Sequence, residues 1–343
     1  METALDCNNV WKVFGLSHAR LKQASAGGNL DPLLEAWGVT AAVRGVSLSV
    51  RKGENFCIMG LSGSGKSTLV RCMTGLLPST RGSLRVLGTD LGNASANELL
   101  TLRRHEISMV FQDFALLPHL TVLENIAFPL RVRGMSRPER EAKAEEMVAM
   151  VGLEGRESYY PHELSGGQQQ RVGIGRSLAT DPQLWFLDEP FSALDPIIRQ
   201  DLQDELLRLQ AKLKKTTIFI THDFDEALRL ASRIAIMKDG RVVQIGTPEE
   251  LVLTPADTYV ARFTSRVALA DVVRVGSVMS RTVVNASEEA PLDSSMLIRD
   301  AARRVLEVGH ALPVTGAGGE IVGSLEPQAV APLLLGRMVR GGG

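Results

Sequence analysis

Gly60-Leu61-Ser62-Gly63-Ser64-Gly65-Lys66-Ser67-Thr68 is a complete G-x-x-x-x-G-K-S loop. The apolar run Phe56-Cys57-Ile58-Met59 ahead of it reads as a buried strand, and Thr68-Leu69-Val70-Arg71-Cys72-Met73 starts a helix behind it. Strand, glycine loop and helix in that order predict an α/β fold with a polyphosphate at the loop. Glycine lets successive N–H groups turn inward around phosphate oxygens, where side chains would obstruct them. Gly60, Ser62, Gly63, Ser64, Gly65 and Thr68 are the residues of that cradle. Lys66 is placed to reach the β- and γ-phosphates, and the Ser67 hydroxyl to ligate Mg²⁺.

Three further strand ends carry polar groups that suit such a site. Leu184-Trp185-Phe186-Leu187 is apolar enough to be buried on both faces and runs into Asp188-Glu189. In open α/β sheets the C-terminal edge of the strands is where ligands bind. Asp188 is expected to hold Mg²⁺. Glu189, alternating to the other side, is expected to poise an attacking water as general base. Gln112 follows the apolar strand Ile107–Phe111; its amide can touch both a water and Mg²⁺, which suits a sensor of the γ-phosphate. His222 follows the β-branched run Thr216–Thr221 and is expected at the γ-phosphate as well.

A second anion site stands about a hundred residues after the first, in Leu164-Ser165-Gly166-Gly167-Gln168-Gln169-Gln170-Arg171. Ser165 is a good N-cap, and Gly166 and Gly167 leave N–H groups bare at the start of a helix. Nothing in this chain alone explains a second such site. Asp195, in Ser192-Ala193-Leu194-Asp195 ahead of Pro196, reads as the cap of another helix.

Composition excludes several classes. The 343 residues suffice for one large and one smaller domain. A net charge of −1 and 5% aromatics give no bulk electrostatic footprint for nucleic acid. No apolar run approaches the roughly 18–20 residues that cross a bilayer, and the N-terminus Met1–Asp6 lacks the basic start and apolar core of a signal peptide. Cys7, Cys57 and Cys72 show no paired or metal-type spacing and read as small core hydrophobes in a reducing compartment.

Together these motifs resemble the nucleotide-binding subunit of an ATP-binding cassette (ABC) transporter over roughly residues 5–265. The resemblance implies a P-loop NTPase cassette: a RecA-like mixed-sheet core plus a helical signature subdomain near 113–163. It implies ATP and Mg²⁺ as ligands, with ATP hydrolysis. It also accounts for the second anion site. Two copies associate head to tail, so Ser165, Gly166, Gly167 and Gln168 would meet the ATP held by the partner's P-loop. Adenine would stack on an aromatic ahead of the loop, Phe14 or else Trp11. The other implied partners are membrane permease subunits, received near Phe114–Asn125, and indirectly a substrate-binding protein. The expected location is the cytoplasmic face of a bacterial inner membrane, peripherally bound.

Departures from the plain cassette narrow the reading. Residues 16–40 form an insertion, with Asp31–Trp37 reading as a short helix that ends at Gly38. An insertion at this place is similar to the quaternary-amine branch, the glycine betaine, proline betaine and choline importers, as are Ser192–Arg199 and Leu202–Leu206. Importers of other solutes (polyamine, sugar, amino acid) are the alternative. DNA-acting cassette ATPases are disfavoured, because residues 69–163 hold no sustained heptads and no basic stripe. Composition shifts after Arg266, dividing the chain into a cassette at 1–266 and a small α/β domain at 267–343. Within the latter, about 275–330 resembles one cystathionine-β-synthase (CBS) motif, through Val278-Met279, a helix near Leu297–Val308, Leu312-Pro313-Val314 and Ile321–Leu325. Gly341–Gly343 reads as a flexible tail.

Overall fold

A computed structural model describes residues 2–17, 19–20, 30–192, 194–265, 267–282 and 289–336. Its contacts separate two compact units, Met1–Ile245 and Gly246–Gly343. That division lies ahead of the composition shift at Arg266. Two short helices of ordinary composition, α9 (Pro248–Leu253) and α10 (Thr258–Thr264), go with the second unit, where Arg274 N–H donates to Glu249 Oε1 at 2.7 Å.

In the first unit the chain begins with β1 (Thr3–Val13), the insertion helix α1 (Asp31–Trp37), β2 (Ala41–Arg51), β3 (Asn55–Met59) and α2 (Lys66–Met73). There follow β4 (Arg81–Val86), β5 (Thr89–Asp90), α3 (Ala96–Thr101), a π-helical turn (Leu102–Glu106) and β6 (Ile107–Val110). Three helices come next, α4 (Val122–Val132), α5 (Arg137–Met150) and α6 (Gly166–Leu178). The unit closes with β7 (Leu184–Asp188), α7 (Pro196–Leu213), β8 (Thr216–Thr221), α8 (Phe224–Leu230), β9 (Arg233–Lys238) and β10 (Arg241–Gly246).

Two sheets result. One is ordered β2-β1-β4-β5, with antiparallel pairs throughout; the other is ordered β10-β9-β3-β8-β7-β6. Within the second sheet β9, β3, β8, β7 and β6 pair in parallel. β7 and β8 are buried at every residue, which explains the apolar run Leu184–Leu187 ahead of Asp188 and the apolar and β-branched sequence of β8. Leu69, Val70 and Met73 of α2 share one core cluster with Leu5, Val50 and Val86 of one sheet and Phe56, Phe186 and Ile218 of the other. The helix after the glycine loop is thus held by apolar contacts with both sheets.

The short helix expected at Asp31–Trp37 forms, and Gly38 ends it in the left-handed conformation (φ 64°). Leu30 and Leu34 pack with Trp11, Val13 and Ala41, while Arg44 and Arg241 both pair with Asp31. Residues 18 and 21–29 of the insertion lie outside the described residues. All three cysteines are buried and free, and burial pushes the Cys72 thiol up to about 11.

The second unit continues from α9 and α10 through α11 (Val275–Val278), β11 (Leu292–Asp293), α12 (Ile298–Val308), β12 (Leu312–Thr315), β13 (Ile321–Leu325) and α13 (Pro327–Leu334). Its sheet is ordered β11-β12-β13, with a parallel pair and then an antiparallel one. A helix and two strands form over Ile298–Val308, Leu312–Thr315 and Ile321–Leu325; the Gly341–Gly343 tail lies outside the described residues.

Candidate nucleotide site

The glycine loop, Gln112, Glu189 and His222 come together on one open cleft of about 560 Å³. Each follows the C-terminal end of a parallel strand: the loop after β3, Gln112 after β6, Glu189 after β7 and His222 after β8. The sheet order brings together four segments spread over more than 160 residues of chain.

Lys66 is buried, and its ammonium donates to Gly60 O at 2.8 Å and to Leu61 O at 3.2 Å. Burial pushes its pKa down, against the opposing pull of Glu189 and Asp188. A desolvated cation hydrogen-bonded to two carbonyls is well placed to exchange them for phosphate oxygens. Gly65 makes the approach possible. It sits at φ 97°, and a side chain there would run into the Ala42 carbonyl.

Ser67 Oγ donates to Asp188 Oδ1 at 3.2 Å. Asp188 is 4% exposed, and burial raises its pKa, with the Ser67 hydrogen bond opposing and Glu189 adding to the rise. Hydroxyl, carboxylate and the Gln112 amide are all hard oxygen donors of the kind Mg²⁺ takes, so these residues fit that ion. The buried carboxylate also has a stability consequence. Its folded pKa lies above the unfolded value, so stability falls as pH rises from the unfolded to the folded pKa, and the ionised form is the destabilised one at neutral pH. Asp188→Asn is therefore expected to keep or raise the thermal midpoint of the nucleotide-free chain at pH 7, while removing Mg²⁺-dependent turnover. A lowered midpoint in differential scanning fluorimetry would contradict this.

Glu189 departs from the simple alternation expected of a strand. It takes the left-handed conformation (φ 45°), which costs a non-glycine residue about 1–2 kcal/mol. Its N–H donates to Ile220 O at 3.1 Å, and its carbonyl accepts from Ser192 N–H and Oγ at 3.3 and 3.0 Å. The kink puts Glu189 on the cleft although Asp188 beside it also faces the loop. Glu189 Oε2 lies 3.1 Å from His222 Nδ1, which donates to it in the tautomer that carries the proton on Nδ1.

The signature lies elsewhere. Ser165 caps α6 in a reciprocal box: Gln168 N–H reaches Ser165 Oγ at 3.4 Å, and Ser165 N–H reaches Gln168 Oε1 at 3.0 Å. Ser165 and Gly166 are exposed. A Cβ on Gly167 would stand 2.5 Å from Ile198 Cγ2, so this glycine lets the first turn of α7 pack on the signature. None of Ser165, Gly166, Gly167 and Gln168 lines the glycine-loop cleft.

The two candidate adenine platforms separate by burial. Trp11 is 5% exposed, its Nε1 donates to Asn9 Oδ1 at 2.9 Å, and the Arg241 guanidinium covers its ring. Phe14 is 49% exposed, with Lys12 Nζ 5.2 Å from its ring centroid. Phe14→Ala is expected to weaken ATP binding by about 1–3 kcal/mol with little loss of stability. Trp11→Ala should instead cost about 3–5 kcal/mol of stability. Nucleotide titration and chemical denaturation of both variants check this, and a reversed pattern would reassign the platform.

Sequence reading missed Ala42 and Leu61 as cleft residues and gave no role to Arg199 or Glu226. A single alanine and a helix-borne arginine carry no motif. Their roles follow from which strands and helices meet.

The ABC transporter family profile matches residues 43–192. The chain is 51% identical to the trimethylamine N-oxide transport system ATP-binding protein TmoW of Ruegeria pomeroyi, over 96% of this chain and 97% of that protein. It is 47% identical to the glycine betaine transport ATP-binding protein OpuAA of Bacillus subtilis, over 85% of this chain and 70% of that protein. Among solved structures, a dimeric post-hydrolysis state of the ATP-binding cassette MJ0796 bound to ADP and Pi superposes with a TM-score of 0.61 at 33% identity, covering 71% of this chain and 98% of that one. A glycine loop, a strand-end acid pair, a capped signature helix and these likenesses converge on one conclusion: the chain belongs to the ABC transporter family, as an ATP-binding, ATP-hydrolysing subunit.

Proposed function

We propose that this chain is the motor of a membrane importer whose cargo is a small methylated amine, either trimethylamine N-oxide or a quaternary amine of the betaine and choline type. The observation that carries the reading is likeness along nearly the whole chain to TmoW of Ruegeria pomeroyi and, at 48% identity over 98% of the chain, of Pelagibacter ubique. Uptake tests it. The chain is co-expressed with permease and binding-protein genes cloned from its own source genome, in cells lacking osmolyte transporters. Labelled trimethylamine N-oxide, glycine betaine and choline are then offered. Uptake of at least one, abolished by Lys66→Ala, is expected; uptake of none of them would refute the cargo class.

The mechanism follows from the cleft. The ammonium of Lys66 leaves the Gly60 and Leu61 carbonyls for the β- and γ-phosphates. Ser67, Asp188 and Gln112 would hold Mg²⁺, which when bound neutralises charge on the phosphate oxygens. Glu189 accepts a proton from water as the water oxygen bonds to the γ-phosphorus and the bond to the β–γ bridging oxygen breaks. His222, beside Glu189, contacts the γ-phosphate.

The partner's signature completes the site. Ser165 Oγ and the N–H groups of Gly166 and Gly167 in one copy donate to the γ-phosphate bound by the other. Driving a dimer from 1:99 closed to 99:1 takes about 5.5 kcal/mol of differential binding. Several charge-assisted hydrogen bonds at about 1.5–3 kcal/mol each suffice, and hydrolysis removes them.

A permease would be received at Phe114–Asn125 and at the apolar groove of about 290 Å³ beside it, lined by Leu76, Met109, Phe111, Phe128 and Val132. The loop is firm enough for the task. Asn125 accepts from Leu117 N–H at 2.8 Å and donates to Leu120 O and Thr121 O at 2.9 and 3.0 Å. Among the described residues no helix is long and apolar enough to cross a membrane, which fits peripheral attachment at the cytoplasmic face through the permease.

A further inference from the structure

His222 sits between two side chains that do not line the cleft. Thr221 Oγ1 donates to Glu226 Oε2 at 2.6 Å and accepts from Asp223 N–H at 3.0 Å. Asp223 caps α8 through Oδ1, which accepts from Asp225 N–H at 2.9 Å and Glu226 N–H at 3.4 Å. The imidazole itself is half exposed and meets Glu189. Its position is therefore set through the backbone by its two neighbours.

Both neighbours lead to one guanidinium. Arg199, in the first turn of α7, donates from Nη1 to Asp223 Oδ2 at 3.4 Å, and its Nε lies 3.8 Å from Glu226 Oε1. From Nη2 it donates to Leu194 O at 3.2 Å. Leu194 belongs to the turn that ends at Asp195, the cap of α7, and its side chain comes near Gly166 of the signature. Glu226 is 5% exposed, and an isolated carboxylate there would be costly without the arginine. The planar guanidinium sets its Nη1 and Nη2 donors at a fixed spacing, toward Asp223 and the Leu194 carbonyl, an arrangement that a compact ammonium does not reproduce.

We propose that Arg199 is a positioning residue that locks the His222 loop to the Leu194 carbonyl ahead of α7, so that His222 addresses the γ-phosphate only when that contact is made. The inference rests on the nucleotide-site reading above. It places the link between the signature side of the subunit and its own hydrolytic site in a single side chain.

The test is a double-mutant cycle on the ATPase activity of the full chain with Mg²⁺ and ATP. Arg199→Gln is expected to lower kcat about tenfold while KM stays within about twofold. In a His222→Ala background the same substitution should change kcat by less than about twofold, because the residue it positions is gone. Arg199→Lys keeps the charge without the fork. It is expected to fall between the two, and it serves as the variant if Arg199→Gln does not fold. Wild-type kcat in Arg199→Gln or Arg199→Lys would overturn the proposal. So would an equal loss in both backgrounds, which a merely structural role would give. Wild-type kcat in His222→Ala alone would instead overturn the reading of the nucleotide site.

Discussion

Glu189→Gln is expected to lower ATP turnover by about 10²–10⁴-fold while leaving ATP binding within a few-fold of wild type. The amide keeps the size of the carboxylate but cannot take the proton from the attacking water. It should also relieve like-charge crowding with Asp188, whose pKa Glu189 helps to raise. The left-handed backbone at Glu189 is held by Ile220 O, Ser192 N–H and Ser192 Oγ, none of which depends on its side chain. The substitution therefore tests chemistry rather than folding. Single-turnover hydrolysis and nucleotide titration check it; near-normal turnover would remove Glu189 from the role of base.

Ser165→Arg is expected to bring turnover to background by another route. Ser165 is exposed, outside the glycine-loop cleft, and its hydroxyl accepts from Gln168 N–H at the head of α6. Losing that cap costs about 0.5–2 kcal/mol of stability, which a domain of this size tolerates. The larger effect is steric: an arginine fills the space that a partner's γ-phosphate and its P-loop would occupy. ATP affinity of the separate chain should remain within about twofold, since no ligand of its own site has changed. Loss of affinity in the monomer would show that the signature serves its own cleft.

Much of this site was legible because its residues repeat a fixed chemical order at strand ends. The G-x-x-x-x-G-K-S loop, Asp188-Glu189 and the Ser165 cap are local as sequence signals: each is read from its own few residues. The helix at Asp31–Trp37 was legible for the same reason, with proline near its start and Gly38 at its end. What stayed hidden was nonlocal. The αL kink that turns Glu189 onto the cleft depends on β8 and on Ser192. The burial of Trp11 against the insertion helix, which leaves Phe14 the exposed ring of the two, is also nonlocal. The second compact unit begins at Gly246 and takes in α9, whose Glu249 accepts from Arg274 N–H, a contact that composition does not register.

The central claim is that one copy's signature completes the other copy's ATP site. Its most direct measurement is the mass of Glu189→Gln in solution, by light scattering on a size-exclusion column. With ATP this variant should run as a dimer, and with ADP as a monomer. Adding Ser165→Arg to it should leave a monomer in saturating ATP although nucleotide is still bound. A double variant that still dimerises with ATP would contradict the account.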